Sequence, residues 1–251
     1  MSITIKGFLK NTLLDWDGRI ASVVFTPGCN FRCPYCHSPH LVYASDEMES
    51  IPPETVVDFI RSNRDWVDGL AITGGEPTIQ PGLVDFLVML GQEGIAAKLD
   101  TNGTMPDVLE EILERELVEY VAMDVKAPPE KYALVTGVAI DSNIIARSID
   151  MLIDGKVDYE FRTTICPLLL DEGDIAGIAR WISGAKRHVL QNFRGGNCLD
   201  EKVNAVRPMP VEQLQKCARE AAKYVRECRI RGERLDDDGC DSTLKTQKSV
   251  E

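Results

Sequence analysis

Residues 26–37 read T-P-G-C-N-F-R-C-P-Y-C-H. Cys29, Cys33 and Cys36 stand there as C-x3-C-x2-C, directly after the apolar run I-A-S-V-V-F at 20–25. Three thiolates so close on one short loop can grip one metal centre. A four-iron cluster takes four ligands, so three cysteines leave one iron open, much as catalytic zinc sites keep one position free. His37 follows at once. It is either a fourth ligand in a Cys3His zinc site or a support for the loop, and its adjacency to Cys36 makes joint chelation awkward.

The flanks of this loop set the fold expectation. Upstream, residues 3–6 alternate, Leu13, Leu14 and Trp16 follow, and Asp17-Gly18 is a turn signal, so residues 1–19 are expected to form a cap or hairpin. The β-branched run 20–25 is expected to be a strand buried on both faces of a parallel sheet. Downstream, Pro52-Pro53 opens a helix carrying Val56, Phe59, Ile60, Asn63, Trp66 and Val67 at helical spacing. Strands are then expected at 70–73, 96–100, 120–126, 159–165 and 188–193, with helices at 83–90, 108–117, 143–152 and 175–182. A last helix is expected over 211–228, with Leu214, Cys217, Ala218, Ala221, Val225 and Cys228 on one face. Such alternation implies an α/β protein of parallel strands joined by right-handed crossovers. A doubly wound sheet and an incomplete (β/α)6 TIM-like barrel both fit, and the alternation alone does not choose.

Composition narrows the function classes. The chain of 251 residues is 44% hydrophobic, enough for one full core, so residues 1–232 are expected to be a single domain. Residues 233–251, with Asp236-Asp237-Asp238, are expected to be a disordered tail. A formal net charge of -12 argues against nucleic-acid or anionic-membrane partners. No apolar run reaches the roughly 18 residues of a membrane span. Eight cysteines, three of them in one loop, suit metal chemistry in a reducing compartment better than a disulfide framework, which makes the expected location cytoplasmic.

In parallel α/β proteins the functional loops lie at the carboxyl ends of strands, and the unusual residues fall there in succession. After the second expected parallel strand come Gly74, Gly75 and Glu76, two residues that permit close backbone approach and a carboxylate. The next strands end in Asp100-Thr101-Asn102-Gly103 and Asp124-Val125-Lys126. Asp100 and Asp124 could bind a ribose, an amino group or a hard cation; the plainer reading is that Asp100 or Asn102 caps a helix and Lys126 balances Asp124. Arg162, in mid-strand, requires an anionic partner from protein or ligand. Cys166 and Cys198 follow two later strands as ordinary thiols or auxiliary ligands, Cys217 and Cys228 read as core, and Cys240 lies in the tail.

On these residues the chain resembles the radical S-adenosylmethionine (SAM) superfamily, whose signature is the same C-x3-C-x2-C with an aromatic, here Tyr35, before the last cysteine. The Gly-Gly-Glu and the order of elements match its incomplete barrel. Within the superfamily, G-F-L-K-N-T-L-L-D-W-D-G at 7–18, C-P-Y-C-H at 33–37, D-T-N-G at 100–103 and M-D-V-K at 123–126 resemble the activators of glycyl-radical enzymes, most closely those of anaerobic ribonucleoside-triphosphate reductase. The resemblance implies one 4Fe-4S cluster on Cys29, Cys33 and Cys36, with SAM on its open iron. It implies that Gly74, Gly75 and Glu76 meet the methionyl amino group, the Tyr35 backbone the adenine, and Asp100, Asp124 and Lys126 the methionine part, with Arg162 reaching its carboxylate. Activators of the pyruvate formate-lyase kind also place a monovalent cation beside SAM, which makes Asp100, Thr101 and Asp124 candidate ligands. An external one-electron donor such as flavodoxin or ferredoxin, and a glycyl-radical enzyme as partner, are implied too. Many such activators carry a cysteine-rich insertion before the Gly-Gly-Glu strand; residues 38–73 contain no cysteine, so one cluster is expected. The alternatives are a radical SAM enzyme acting on another substrate and a non-enzymatic zinc or iron–sulfur electron-transfer protein.

Overall fold

The computed structural model describes residues 2–43 and 48–231; the expected tail and Cys240 lie outside them. In chain order the elements are β1 (Gly7–Thr12), β2 (Ala21–Thr26), α1 (Pro39–Val42), α2 (Pro53–Ser62), β3 (Gly69–Gly74), α3 (Leu83–Gln92), β4 (Ala96–Thr101), α4 (Pro106–Glu114), β5 (Tyr120–Asp124), α5 (Tyr132–Thr136), α6 (Ser142–Asp154), β6 (Asp158–Ile165), α7 (Glu172–Trp181), β7 (His188–Asn192), α8 (Val211–Ala221) and β8 (Cys228–Arg231). The chain divides into two compact units that interleave along the sequence. One comprises Met1–Arg32, Ser38–Met123 and Asn143–Asp158, the other Cys33–His37, Asp124–Ser142 and Tyr159–Glu251.

In the first unit β1 runs antiparallel to β2, and β2, β3, β4 and β5 pair in parallel and in chain order. The expected hairpin is present, with Gly18 at φ +75° in its turn. Its first strand is β1, in which Gly7 stands opposite Phe25, where a Cβ would come within 3.1 Å of the ring. Val23, Val24, Leu70, Ile72, Leu99 and Val121 are all fully buried, as a near-continuous apolar run in a parallel strand requires. Trp16 packs with Ala21, Ala96, Tyr120 and Ala122, so the hairpin covers one end of this sheet face. α2 starts at the expected Pro53 but stops at Ser62, where Asn63 turns its side-chain amide back to the Phe59 carbonyl; Trp66, expected on the helix, is exposed beyond it.

In the second unit β6, β7 and β8 pair in parallel, again in chain order. A doubly wound sheet would step back across its starting strand, and neither unit does so. The expected last helix is cut short. α8 ends at Ala221, and Cys228 begins a strand opposite His188. Val225 lies between α8 and the strand, and pairing of Cys228 with His188 on β7 ends the helical pattern there. α7 starts at a capping box, in which Asp171 accepts from the Asp174 N–H and the Asp174 carboxylate accepts from the Asp171 N–H.

Replacing Trp16 by Ala removes the ring that covers Tyr120 and Ala122. The expected loss is about 3–5 kcal/mol, read as a lower denaturation midpoint with little change in the dependence on denaturant.

Candidate active site

The first unit carries Cys29, the glycine pair, Glu76 and Asp100. Gly74 has φ +122°, and a Cβ there would lie 2.4 Å from the backbone of Thr26. At Gly75 a Cβ would lie 1.8 Å from the Gly28 carbonyl oxygen. The absent side chains let the end of β3 lie directly on residues 26–28: the Gly75 N–H donates to Thr26 O at 2.8 Å and the Glu76 N–H to Gly28 O at 2.8 Å. The pair is therefore more than a turn. It seats the strand end against the residue before Cys29.

Glu76 is buried, and its carboxylate accepts from the Thr78 N–H, the Thr78 hydroxyl, the Thr101 hydroxyl (2.7 Å) and the Asn102 N–H (2.6 Å). Burial pushes its pKa up and these bonds offset only part of that. The side chain joins the ends of β3 and β4. From there the network continues. The Asn102 amide donates to Asn30 Oδ1 at 2.9 Å, Asn30 donates to the Thr104 hydroxyl at 2.7 Å, and that hydroxyl donates back to Asn102 Oδ1 at 2.6 Å. Asn30 follows Cys29 directly, so a closed polar ring holds this part of the cysteine loop to the end of β4. Neither Asp100 nor Asn102 caps a helix, since α4 begins after Met105. Asp100 instead accepts from Lys98 Nζ at 2.7 Å.

The second unit carries Cys33, Tyr35, Cys36, Asp124, Lys126 and Arg162. Asp124 lies between Lys126 Nζ (2.6 Å) and Arg162 Nε (2.8 Å). Burial raises its pKa, but the two cations outweigh burial and bring it to about 2. Lys126 is held well above its ordinary range: burial lowers its pKa, and Asp124 and then Tyr35 and Cys33 more than reverse this. The anionic partner that Arg162 requires is thus a protein carboxylate. Tyr35 is buried with its hydroxyl unpartnered, and burial drives its pKa well above 10.0.

A segment after β7 clasps the end of the cysteine loop. Leu199 N–H donates to Cys36 O at 2.9 Å and Asp200 N–H to Pro34 O at 3.0 Å. His37 Nε2 lies 2.7 Å from Arg194 O, and the ring stacks on Phe193. His37 is therefore engaged in supporting the loop. Among the described residues no three His, Cys, Asp or Glu side chains gather closely enough to hold a single metal ion. Cys198 and Cys166 are buried in this unit, each with its thiol pKa raised by burial, and Cys217 and Cys228 are core as expected, though on α8 and β8 and not on one helix.

The donor set suits an iron–sulfur cluster. The described cysteines are all outside disulfides, and Lys126 places a positive charge in the field of Cys33, which favours the thiolate that ligates iron. Sequence reading missed Asn30, Thr104, Lys98 and the clasp at 194–200. Of these only Asn30, inside the cysteine motif, and Lys98, two residues before Asp100 on one strand face, carried a readable signal.

Residues 23–182 match the radical SAM superfamily, and the chain belongs to it. Among relatives, a protein of Methanocaldococcus jannaschii named as a glycyl-radical enzyme activating enzyme, MJ1227, is 32% identical over 234 residues, covering 90% of this chain and 94% of its own length. The pyruvate formate-lyase-activating enzyme of Clostridium pasteurianum is 33% identical over 131 residues, half of this chain and 53% of the relative. Among solved structures, coproporphyrinogen III oxidase from Escherichia coli, a radical SAM enzyme, superposes with a TM-score of 0.55 at 15% identity over 84% of this chain and 54% of its own. The fold is thus the parallel α/β radical SAM fold, and the chain is an enzyme of the glycyl-radical-activating type. The family implies a 4Fe-4S cluster and SAM. No helix among the described residues is long and apolar enough to cross a membrane.

Gly75→Ala places a methyl group on a backbone oxygen and is expected to cost about 3 kcal/mol or more, measured by denaturant unfolding. Tyr35→Phe removes only an unpartnered buried hydroxyl, so stability should be unchanged or higher. Asp124 contributes stability that is present above its unfolded pKa and is lost as pH falls through its depressed folded value of about 2. Asp124→Asn should therefore be less stable at pH 7, and its unfolding free energy should fall less than the wild type's between about pH 4 and pH 2.

Proposed function

We propose that this chain reductively cleaves SAM at one 4Fe-4S cluster held by Cys29, Cys33 and Cys36, and generates a glycyl radical on a partner enzyme, anaerobic ribonucleoside-triphosphate reductase. The observation that carries the reading is the near full-length match to a relative named as a glycyl-radical enzyme activating enzyme. The reductase as partner rests on the motifs at 7–18, 33–37, 100–103 and 123–126. When bound, the cluster and SAM supply a 5'-deoxyadenosyl radical able to take hydrogen from a glycine Cα, using one electron from an external donor such as flavodoxin or ferredoxin.

The chain's own residues bind and orient. Gly74, Gly75 and Glu76 meet the methionyl amino group, and Glu76 also ties that backbone to the end of β4. The Tyr35 backbone meets the adenine. Asp100, Asp124 and Lys126 hold the methionine part. Asp124, Lys126 and Arg162 together carry one net positive charge, which suits the SAM carboxylate. A monovalent cation would compete with existing bonds, because the Thr101 hydroxyl serves Glu76 and each aspartate already faces a cation.

Anaerobic reconstitution should load about four irons per chain and, with reductant and SAM, yield 5'-deoxyadenosine. Cys33→Ala should lose the cluster and Cys240→Ala should keep it; equal loss in both would contradict the ligand assignment. Incubation with the reductase should give a glycyl-radical signal in electron paramagnetic resonance. A signal on pyruvate formate-lyase instead would move the partner, and SAM cleavage with no signal on any glycyl-radical enzyme would favour another substrate.

A further inference from the structure

Lys98 is a buried charge with no part in the reading above. Its side chain is 3% exposed, less than the 11% of Asp100, its neighbour on the same strand face. An ammonium group has three N–H donors. Lys98 Nζ donates to Asp100 Oδ1 at 2.7 Å and to the Asp15 carbonyl at 2.6 Å, and it stands 5.9 Å from the centre of the Tyr120 ring, within cation–π reach. These partners come from β4 itself, from the β1–β2 hairpin beside buried Trp16, and from β5. A methionine would fill similar volume without the desolvation cost of a charge, so packing alone does not require lysine here.

We infer that Lys98 is a positioning residue for SAM recognition: its ammonium is the fixed partner that keeps the Asp100 carboxylate aimed, anchored from below by the hairpin. The inference rests on the proposed role of Asp100 in holding the methionine part of SAM. It assigns a function to the hairpin as well, because the Asp15 carbonyl fixes where the ammonium sits.

Five proteins test it: wild type, Lys98→Met, Lys98→Ala, Asp100→Asn and the Lys98→Met/Asp100→Asn double variant. Each is reconstituted anaerobically and measured for SAM affinity by equilibrium dialysis and for thermal midpoint. Lys98→Met removes a buried ion pair, so the midpoint should fall by about 10 °C and SAM affinity by about tenfold or more. The double variant removes both charges and should regain most of the midpoint while SAM affinity stays weak. In Lys98→Ala, added methylammonium should restore part of the SAM affinity by filling the vacated position. The inference is overturned if Lys98→Met binds SAM like the wild type while Asp100→Asn does not, an outcome that leaves the proposed site intact. It is also overturned if the double variant recovers affinity together with stability, which would make the pair purely structural. If Asp100→Asn alone binds SAM like the wild type, the assigned role of Asp100 fails and the inference with it.

Discussion

The contact between Gly75 and the Gly28 carbonyl is the constraint on which the first half of the site depends. No Cβ fits there, since one would lie 1.8 Å from that oxygen. With none, the end of β3 bonds along residues 26–28 and sets the start of the cysteine loop. Everything next to it follows from that seating. Glu76 comes into reach of Thr101 and Asn102, and Asn102 comes into reach of Asn30. A glycine pair that looks like a turn signal in the sequence is thus a packing requirement between a strand end and a ligand loop.

The charges are arranged in the same way, as buried or half-buried carboxylates each committed to protein partners. Glu76 takes neutral donors and keeps a raised pKa; Asp124 takes two cations and titrates near 2; Asp100 takes Lys98. A buried charge without such partners would shift its pKa and neutralise. The pairing holds these groups in place before any ligand arrives, which limits the reorganisation that binding would otherwise cost. The clasp of residues 194–200 on Pro34, Cys36 and His37 gives the far end of the loop a similar support from backbone bonds.

Much of this was legible in the chain. The order of strands and helices followed from apolar periodicity, which survives because β2 to β5 are buried on both faces. The need of Arg162 for an anion and the pairing of Lys126 with Asp124 followed from the cost of buried charge. The errors arose where local pattern was ambiguous. Leu214, Cys217, Ala218 and Ala221 keep the helical spacing, but Cys228, which continues it, pairs with His188 as the start of a strand.

What the sequence determined by itself was the chemistry: three cysteines at C-x3-C-x2-C, a glycine pair, and acidic and basic residues at successive strand ends, which are local facts of spacing. Only the tertiary structure decided how the acids are used. Glu76 braces the ends of β3 and β4, and Lys98 turned from an inconspicuous strand residue into the partner of Asp100. The physical reason is that a hydrogen bond or an ion pair needs two groups within about 3 Å. Residues 25 or 83 apart in the chain, such as Thr101 and Glu76 or Lys98 and Asp15, meet only when the fold brings them together.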